Sequence, residues 1–176
     1  MGCPFCTKPP DLLARIFYRN KDKAWFAFLS SDPHTTGHAI LAAVGRDENC
    51  PQEFDPQTLI GLGEALCDVV RAIRECYTPH IKEIHFASLR GDVKHFHLHL
   101  LPLWEEEEKR WREVTGYKEA HLLEFLGSRE KKQDFLLSEL ALKEGKPKET
   151  VRLESIAKLL DEIQVLRRIT GFKSCA

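Results

Sequence analysis

The chain has 176 residues, 43% hydrophobic and 30% charged, with a formal net charge of -1. That length suits one domain, or one domain with an appendage, and 43% apolar content is enough for a core. The near-neutral balance excludes bulk electrostatic attraction to nucleic acid or a membrane surface, and no apolar run approaches the ~18–20 residues of a membrane span. The N-terminus carries no apolar signal-peptide core. Met1-Gly2 fails as a myristoylation site, because Cys6 stands where Ser or Thr is needed. The expectation is a cytoplasmic protein whose six cysteines are thiols or metal ligands rather than disulfides.

Cys3-Pro4-Phe5-Cys6 comes first. Cys-x-x-Cys suits half of a tetrahedral zinc site, since both thiolates can reach one ion, and it also suits a redox dithiol. The redox use needs a strand before the pair, and only two residues precede Cys3. Arg15 to Arg19 and Lys23 to Leu29 read as strands around the polar turn Asn20-Lys21-Asp22. A loop follows from Ser30 to Gly37, with His34 an exposed loop histidine, and His38 to Val44 is a third strand. Asp55-Pro56 opens a helix as N-cap and first helical residue. Leu59, Leu62, Leu66, Val69, Val70 and Ile73 recur at helical spacing and predict one buried face. Gly61 and Gly63 predict close packing, and Cys67 and Cys76 read as small core residues. Ile84 to Arg90 and Val93 to Leu101 read as a hairpin around the turn dipeptide Gly91-Asp92.

The second strand of that hairpin carries Lys94-His95-Phe96-His97-Leu98-His99-Leu100-Leu101-Pro102. Side chains at i, i+2 and i+4 of a strand share a face, so His95, His97 and His99 are expected in one row, ~6–7 Å apart. Phe96, Leu98 and Leu100 point the other way, into a core. Three aligned imidazoles either ligate a metal or supply a nucleophile with charged helpers, since neutral histidine is nucleophilic near pH 7.

Beyond Trp104 the texture changes. Glu105 to Arg110 is a charge run, read as a solvated helix face. Ser128 can cap a helix through Phe135, Leu136 and Leu140 that ends near Gly145-Lys146-Pro147. Thr150 can cap another, with an apolar stripe of Leu153, Ile156, Leu160 and Ile163, and Gly171 past its end. These stripes need a surface, on the core or on a second subunit.

His95-Phe96-His97-Leu98-His99-Leu100-Leu101 resembles the His-φ-His-φ-His-φ-φ signature of the histidine triad (HIT) family of nucleotide hydrolases and transferases, with φ apolar. Asp32-Pro33 followed by Gly37-His38-Ala39-Ile40-Leu41 is similar to the segment that precedes that signature in the family. The resemblance covers residues 3–104. It implies an α+β fold, a HIT-like antiparallel sheet with a packed helix, here with a helical C-terminal extension. The expected domains are a catalytic one over 1–104 and the extension over 105–176.

The resemblance also implies roles. His97 is the expected nucleophile, His99 a hydrogen-bond donor to the phosphate, and His95 the residue that orients the strand. Some HIT proteins bind zinc through an N-terminal cysteine pair and the first triad histidine, which maps onto Cys3, Cys6 and His95. The family's remaining ligand is a histidine just after the Gly-His strand. Gly45 and Arg46 stand there in this chain, and Cys50 is the candidate substitute. The ribose-binding position of the family corresponds to Ser30, with Asp32 nearby. The turn whose groups contact the phosphate corresponds to Ser88, Gly91 and Asp92. The phosphorylase branch carries Gln where this chain has His99, which favours hydrolysis.

The expected function is hydrolysis of nucleotidyl P–N or P–O–P bonds through a nucleotidyl-histidine. The alternatives are a nucleotide-binding or scaffolding protein with little turnover, and a purely metal-binding module. Expected partners are a nucleotide, structural zinc and a second copy in a homodimer, with neither nucleic acid nor membrane.

Overall fold

A computed structural model describes residues 3–22, 24–31, 33, 35–44, 54–77, 81–88, 95–105, 109 and 148–172, the side chains of 148–157 excepted. Asp32, His34, Gly45, Arg46, Cys50, Gly91, Asp92 and the expected helix after Ser128 lie outside the described residues. The elements run α1 (Pro4–Thr7), α2 (Pro10–Arg15), β1 (Ile16–Arg19), β2 (Trp25–Leu29), β3 (Ala39–Ala43), α3 (Pro56–Tyr77), β4 (Ile81–Ala87), β5 (His97–Trp104) and α4 (Lys148–Thr170). The five strands form one antiparallel sheet in the order β1-β2-β3-β5-β4. The fold is α+β, as the sequence predicts.

Asn20 closes the first hairpin. Its backbone N–H donates to the Trp25 carbonyl at 3.1 Å, and its Oδ1 accepts from the Trp25 N–H at 2.9 Å. Asp55 caps α3 as expected: Oδ1 accepts from the Thr58 N–H and Oδ2 from the Thr58 hydroxyl, both at 2.8 Å.

One sheet face carries the larger core. Phe17, Trp25, Ala27, Leu29, Ala39, Leu41, Phe96 and Leu100 pack there against α3 and α4. The face that α3 turns inward differs from the predicted stripe. Gly61, Ala65, Val69, Ala72, Ile73 and Tyr77 are buried, whereas Leu62, Leu66 and Val70 flank them and Leu59 is exposed. Small residues let the helix backbone approach the sheet, and the large ones fill the sides. Gly61 accounts for this approach, because a Cβ there would meet Asn20 Nδ2 at 3.1 Å and Trp25 Cδ1 at 3.5 Å. At Gly63 a Cβ would meet nothing within 4 Å, and Cys67 is exposed, so neither takes the packing role expected of it. Cys76 does pack against the core, and burial and then Glu162 push its thiol up to about 11.

The C-terminal helix closes the same core on its own chain. Ile163 and Leu166 are fully buried, with Leu159 and Ile169 beside them, while Leu160 of the predicted stripe is exposed. A period of 3.6 lets either Leu159 or Leu160 share a face with Ile163, and the contact with α3 and β1 selects Leu159. Arg167 donates to the carbonyls of Ile16 and Ala14, at 2.9 and 2.8 Å. The helix ends in a Schellman motif. Gly171 takes φ +66, its N–H reaches the Arg168 carbonyl, and the Phe172 N–H reaches that of Arg167.

The β4–β5 register departs from the predicted hairpin. A two-residue turn at Gly91-Asp92 would set Ala87 opposite Phe96. Instead Ala87 faces His99, and Ile84 faces Pro102. The shift is odd, so it exchanges the two faces of β4. It places Ile84 on the helix side, where Ile81 and Ile84 join the larger core, and leaves His85 and Ala87 on the histidine side.

Candidate active site

The second sheet face carries the histidines. Across the strands Ala42 faces His97 and Ile40 faces His99. Phe26, Phe28, Ile16 and Ala42 form a smaller core there with Phe5 of α1 and Leu12 of α2. The first turn of chain thus serves as a cover. Pro4 at the first helical position pre-sets the backbone for α1, the Cys6 and Thr7 N–H groups bond the Cys3 carbonyl, and Lys8 ends the turn at φ 45. One helical turn sets Cys3 and Cys6 on the same side.

His95 precedes β5 rather than lying in it, so only His97 and His99 stand in the strand itself. The three still share a side. The Phe5 ring meets His95 edge-on at 5.5 Å and His97 at 5.1 Å, and the His97 and His99 rings lie 5.0 Å apart. The alternation holds on the apolar side too, with Phe96 and Leu100 buried. The histidine side is covered at its centre: the Phe5 ring lies against His97, which is only 8% exposed.

Hydrogen bonds set the tautomers. His97 Nδ1 lies 2.7 Å from the His95 carbonyl, so Nδ1 carries the proton and Nε2 the lone pair. Burial lowers the pKa of His97, outweighing the opposing effect of that backbone bond, and favours the neutral ring. His95 Nε2 lies 2.8 Å from the Ala43 carbonyl, which puts its proton on Nε2 and leaves Nδ1 facing Cys6 Sγ at 3.4 Å. His99 Nδ1 meets His38 Nε2 at 2.8 Å, and one proton serves that contact.

Cys3, Cys6 and His95 bring their ligand atoms within 4.8 Å of one another. A zinc ion ~2.3 Å from each sulfur and ~2.0 Å from a nitrogen spans edges of roughly 3.5–3.8 Å, and the tautomer of His95 offers the right lone pair. The donor set fits zinc with three ligands among the described residues.

Of the other expected site residues, Ser30 is buried and donates its N–H to the His38 carbonyl at 2.9 Å. Ser88 lies exposed just past β4. Sequence reasoning missed His38 and Phe5. The parity of His38 with Ile40 and Ala42 was the available signal, because it puts His38 on the face that carries the triad.

No protein-family model and no curated protein matches the chain. Solved structures do. A HIT family member from Bacillus subtilis is 22% identical, with a TM-score of 0.51 over 60% of this chain and 76% of that one. A zinc-bound histidine triad family protein from Mycobacterium smegmatis is 23% identical, with a TM-score of 0.50 over 61% and 79%. The chain has the HIT fold. A HIT family protein from Bacillus anthracis, 20% identical with a TM-score of 0.50, covers 81% of this chain and 96% of its own. In this HIT fold the triad strand β5 sits between β3 and β4: His99 is paired on both edges, with Ile40 and Ala87, and His97 is paired with Ala42 of β3. Among the described residues, no helix is long and apolar enough to cross a membrane.

Proposed function

We propose that this chain hydrolyses nucleotidyl P–N or P–O–P bonds, with His97 as the nucleophile. The observation that carries the reading is the 2.7 Å contact between His97 Nδ1 and the His95 carbonyl, which aims the Nε2 lone pair away from the backbone. Nε2 attacks the α-phosphorus, the P–N or P–O bond to the leaving group breaks, and the nucleotide is held on His97. Water then attacks the phosphorus, the P–Nε2 bond breaks, and the nucleotide leaves. With His38 as donor to His99 Nδ1, His99 keeps a proton on Nε2 for the phosphate oxygens. Ser30, at the mouth of the β2–β3 pair, is proposed to contact the nucleoside, and Asp32, Ser88, Gly91 and Asp92 the ribose or phosphate.

Cys3, Cys6 and His95 are proposed to hold a structural zinc, with Cys50 as the fourth ligand. The zinc-bound Mycobacterium smegmatis relative supports this reading. When bound, the ion cross-links α1 to the start of β5 and supplies no step of the chemistry. We further propose a homodimer, and that residues 1–104 hold every reacting group while the extension serves the fold. Light scattering tests the dimer: a monomer at micromolar concentration refutes it.

The burial of His97 beneath Phe5 favours a second reading, a nucleotide-binding protein with little turnover. Mass spectrometry after mixing with a nucleoside phosphoramidate separates the two. Released nucleotide and a trapped adduct on His97 support the hydrolase. Nucleotide bound unchanged overturns it.

A further inference from the structure

We propose that Tyr77 and Glu162 are positioning residues through which the C-terminal helix holds the His38–His99 pair. The consequence for phosphoryl chemistry rests on the function proposed above, whereas the positioning itself does not.

The turn at residues 35–37 leads directly into His38 and is held from several sides. The Thr35 hydroxyl donates to the Pro102 carbonyl at 2.6 Å, and Trp104 Nε1–H donates to the Thr36 carbonyl at 3.0 Å. The His38 N–H returns to the Thr35 carbonyl at 3.0 Å. Gly37 takes φ +78, and a Cβ there would lie 2.8 Å from Tyr77 Cε2. The Tyr77 ring is therefore in close contact with the backbone at residue 37. It also meets the Trp104 ring edge-on, at 5.8 Å and 82°. Tyr77 and Trp104 together bracket Thr36 and Gly37.

The Tyr77 hydroxyl sets where that ring sits. It donates to Glu162 Oε2 at 2.7 Å, and Glu162 belongs to α4. The Glu162 side chain is 14% exposed, with Lys158 Nζ 3.9 Å from its other oxygen. A hydrogen bond to a largely buried carboxylate is among the stronger ones. Burial, with the charge of Glu162 behind it, raises the Tyr77 pKa, so the phenol remains a donor. The contacts run without a gap from Glu162 to Tyr77, to Gly37, to His38 and to His99. A plain glue between α3 and α4 needs only the first contact. Packing of the ring against the turn that carries His38 is what extends it to the site.

The test uses the full chain with 15N-labelled histidine, as wild type, Tyr77→Phe, Glu162→Ala and Glu162→Gln, observing the ring nitrogens by NMR. Tyr77→Phe and Glu162→Ala are expected to move the His38 and His99 signals, and to move them more than that of His85 on β4. Glu162→Gln, whose amide oxygen still accepts the phenol's hydrogen, is expected to keep them. With a nucleoside phosphoramidate, the first two variants should lower kcat about three- to tenfold with KM within about twofold. Unmoved His38 and His99 signals in folded Tyr77→Phe would overturn the proposal, whatever the melting temperature does. If Glu162→Ala does not fold, Tyr77→Phe, which removes one oxygen, decides alone. A wild type without turnover sinks the hydrolase reading, and the ring signals still decide the positioning.

Discussion

His97 Nδ1 lies 2.7 Å from the backbone carbonyl of His95, whose own ring faces Cys6 Sγ at 3.4 Å. One residue therefore serves two neighbouring sites. Its side chain joins Cys3 and Cys6 in a cluster whose donors fit a zinc ion, and its carbonyl fixes which nitrogen of the next histidine carries the proton.

From that relationship, His97→Ala should lower kcat by about a hundredfold or more, because the covalent route itself is lost. No adduct should appear by mass spectrometry. Activity within a few-fold of wild type would sink the assignment of His97 as nucleophile.

The Cys3, Cys6 and His95 cluster should bind about one zinc per chain, tightly and for structure. Elemental analysis of protein purified without chelator is the measurement. Chelation, or Cys3→Ser with Cys6→Ser, should lower the melting temperature. A metal-free protein that melts cooperatively and ignores added zinc would rule the site out.

Leu166 of α4 is fully buried in the larger core, far along the chain from the triad. Leu166→Ala should cost about 2–5 kcal/mol, from the lost burial and the cavity left behind. Urea unfolding reads this directly. Below its melting temperature the variant should still form an adduct on His97, and its failure to do so while folded would mean that the extension supplies part of the site.

Gly37→Ala forces an L side chain into a left-handed backbone at φ +78 and into the Tyr77 ring. The backbone strain alone costs about 1–2 kcal/mol. A lower urea midpoint is expected, and a midpoint equal to that of wild type would show that the turn at residues 35–37 is not held as described.

Local rules made much of this protein readable in its sequence. Alternation of His with apolar residues is a period-2 pattern, and it identified the chemical strand and its apolar back before any partner strand was known. Asp55-Pro56 and Gly171 mark helix ends because capping involves only the nearest backbone groups. The Cys-x-x-Cys spacing showed that two thiols can reach one ion.

Tertiary structure decided the rest. A helical stripe has two neighbouring solutions, and the contact between α3, α4 and β1 chose Leu159 over Leu160 and the small residues of α3 over Leu59. The β4–β5 register put Ile84 on the helix side and His85 and Ala87 on the histidine side. His38 meets His99 across 61 positions of sequence, and the Phe5 ring covers His97 from the N-terminal turn. No local pattern encodes such pairs, because they form when distant elements bury their apolar faces on one sheet.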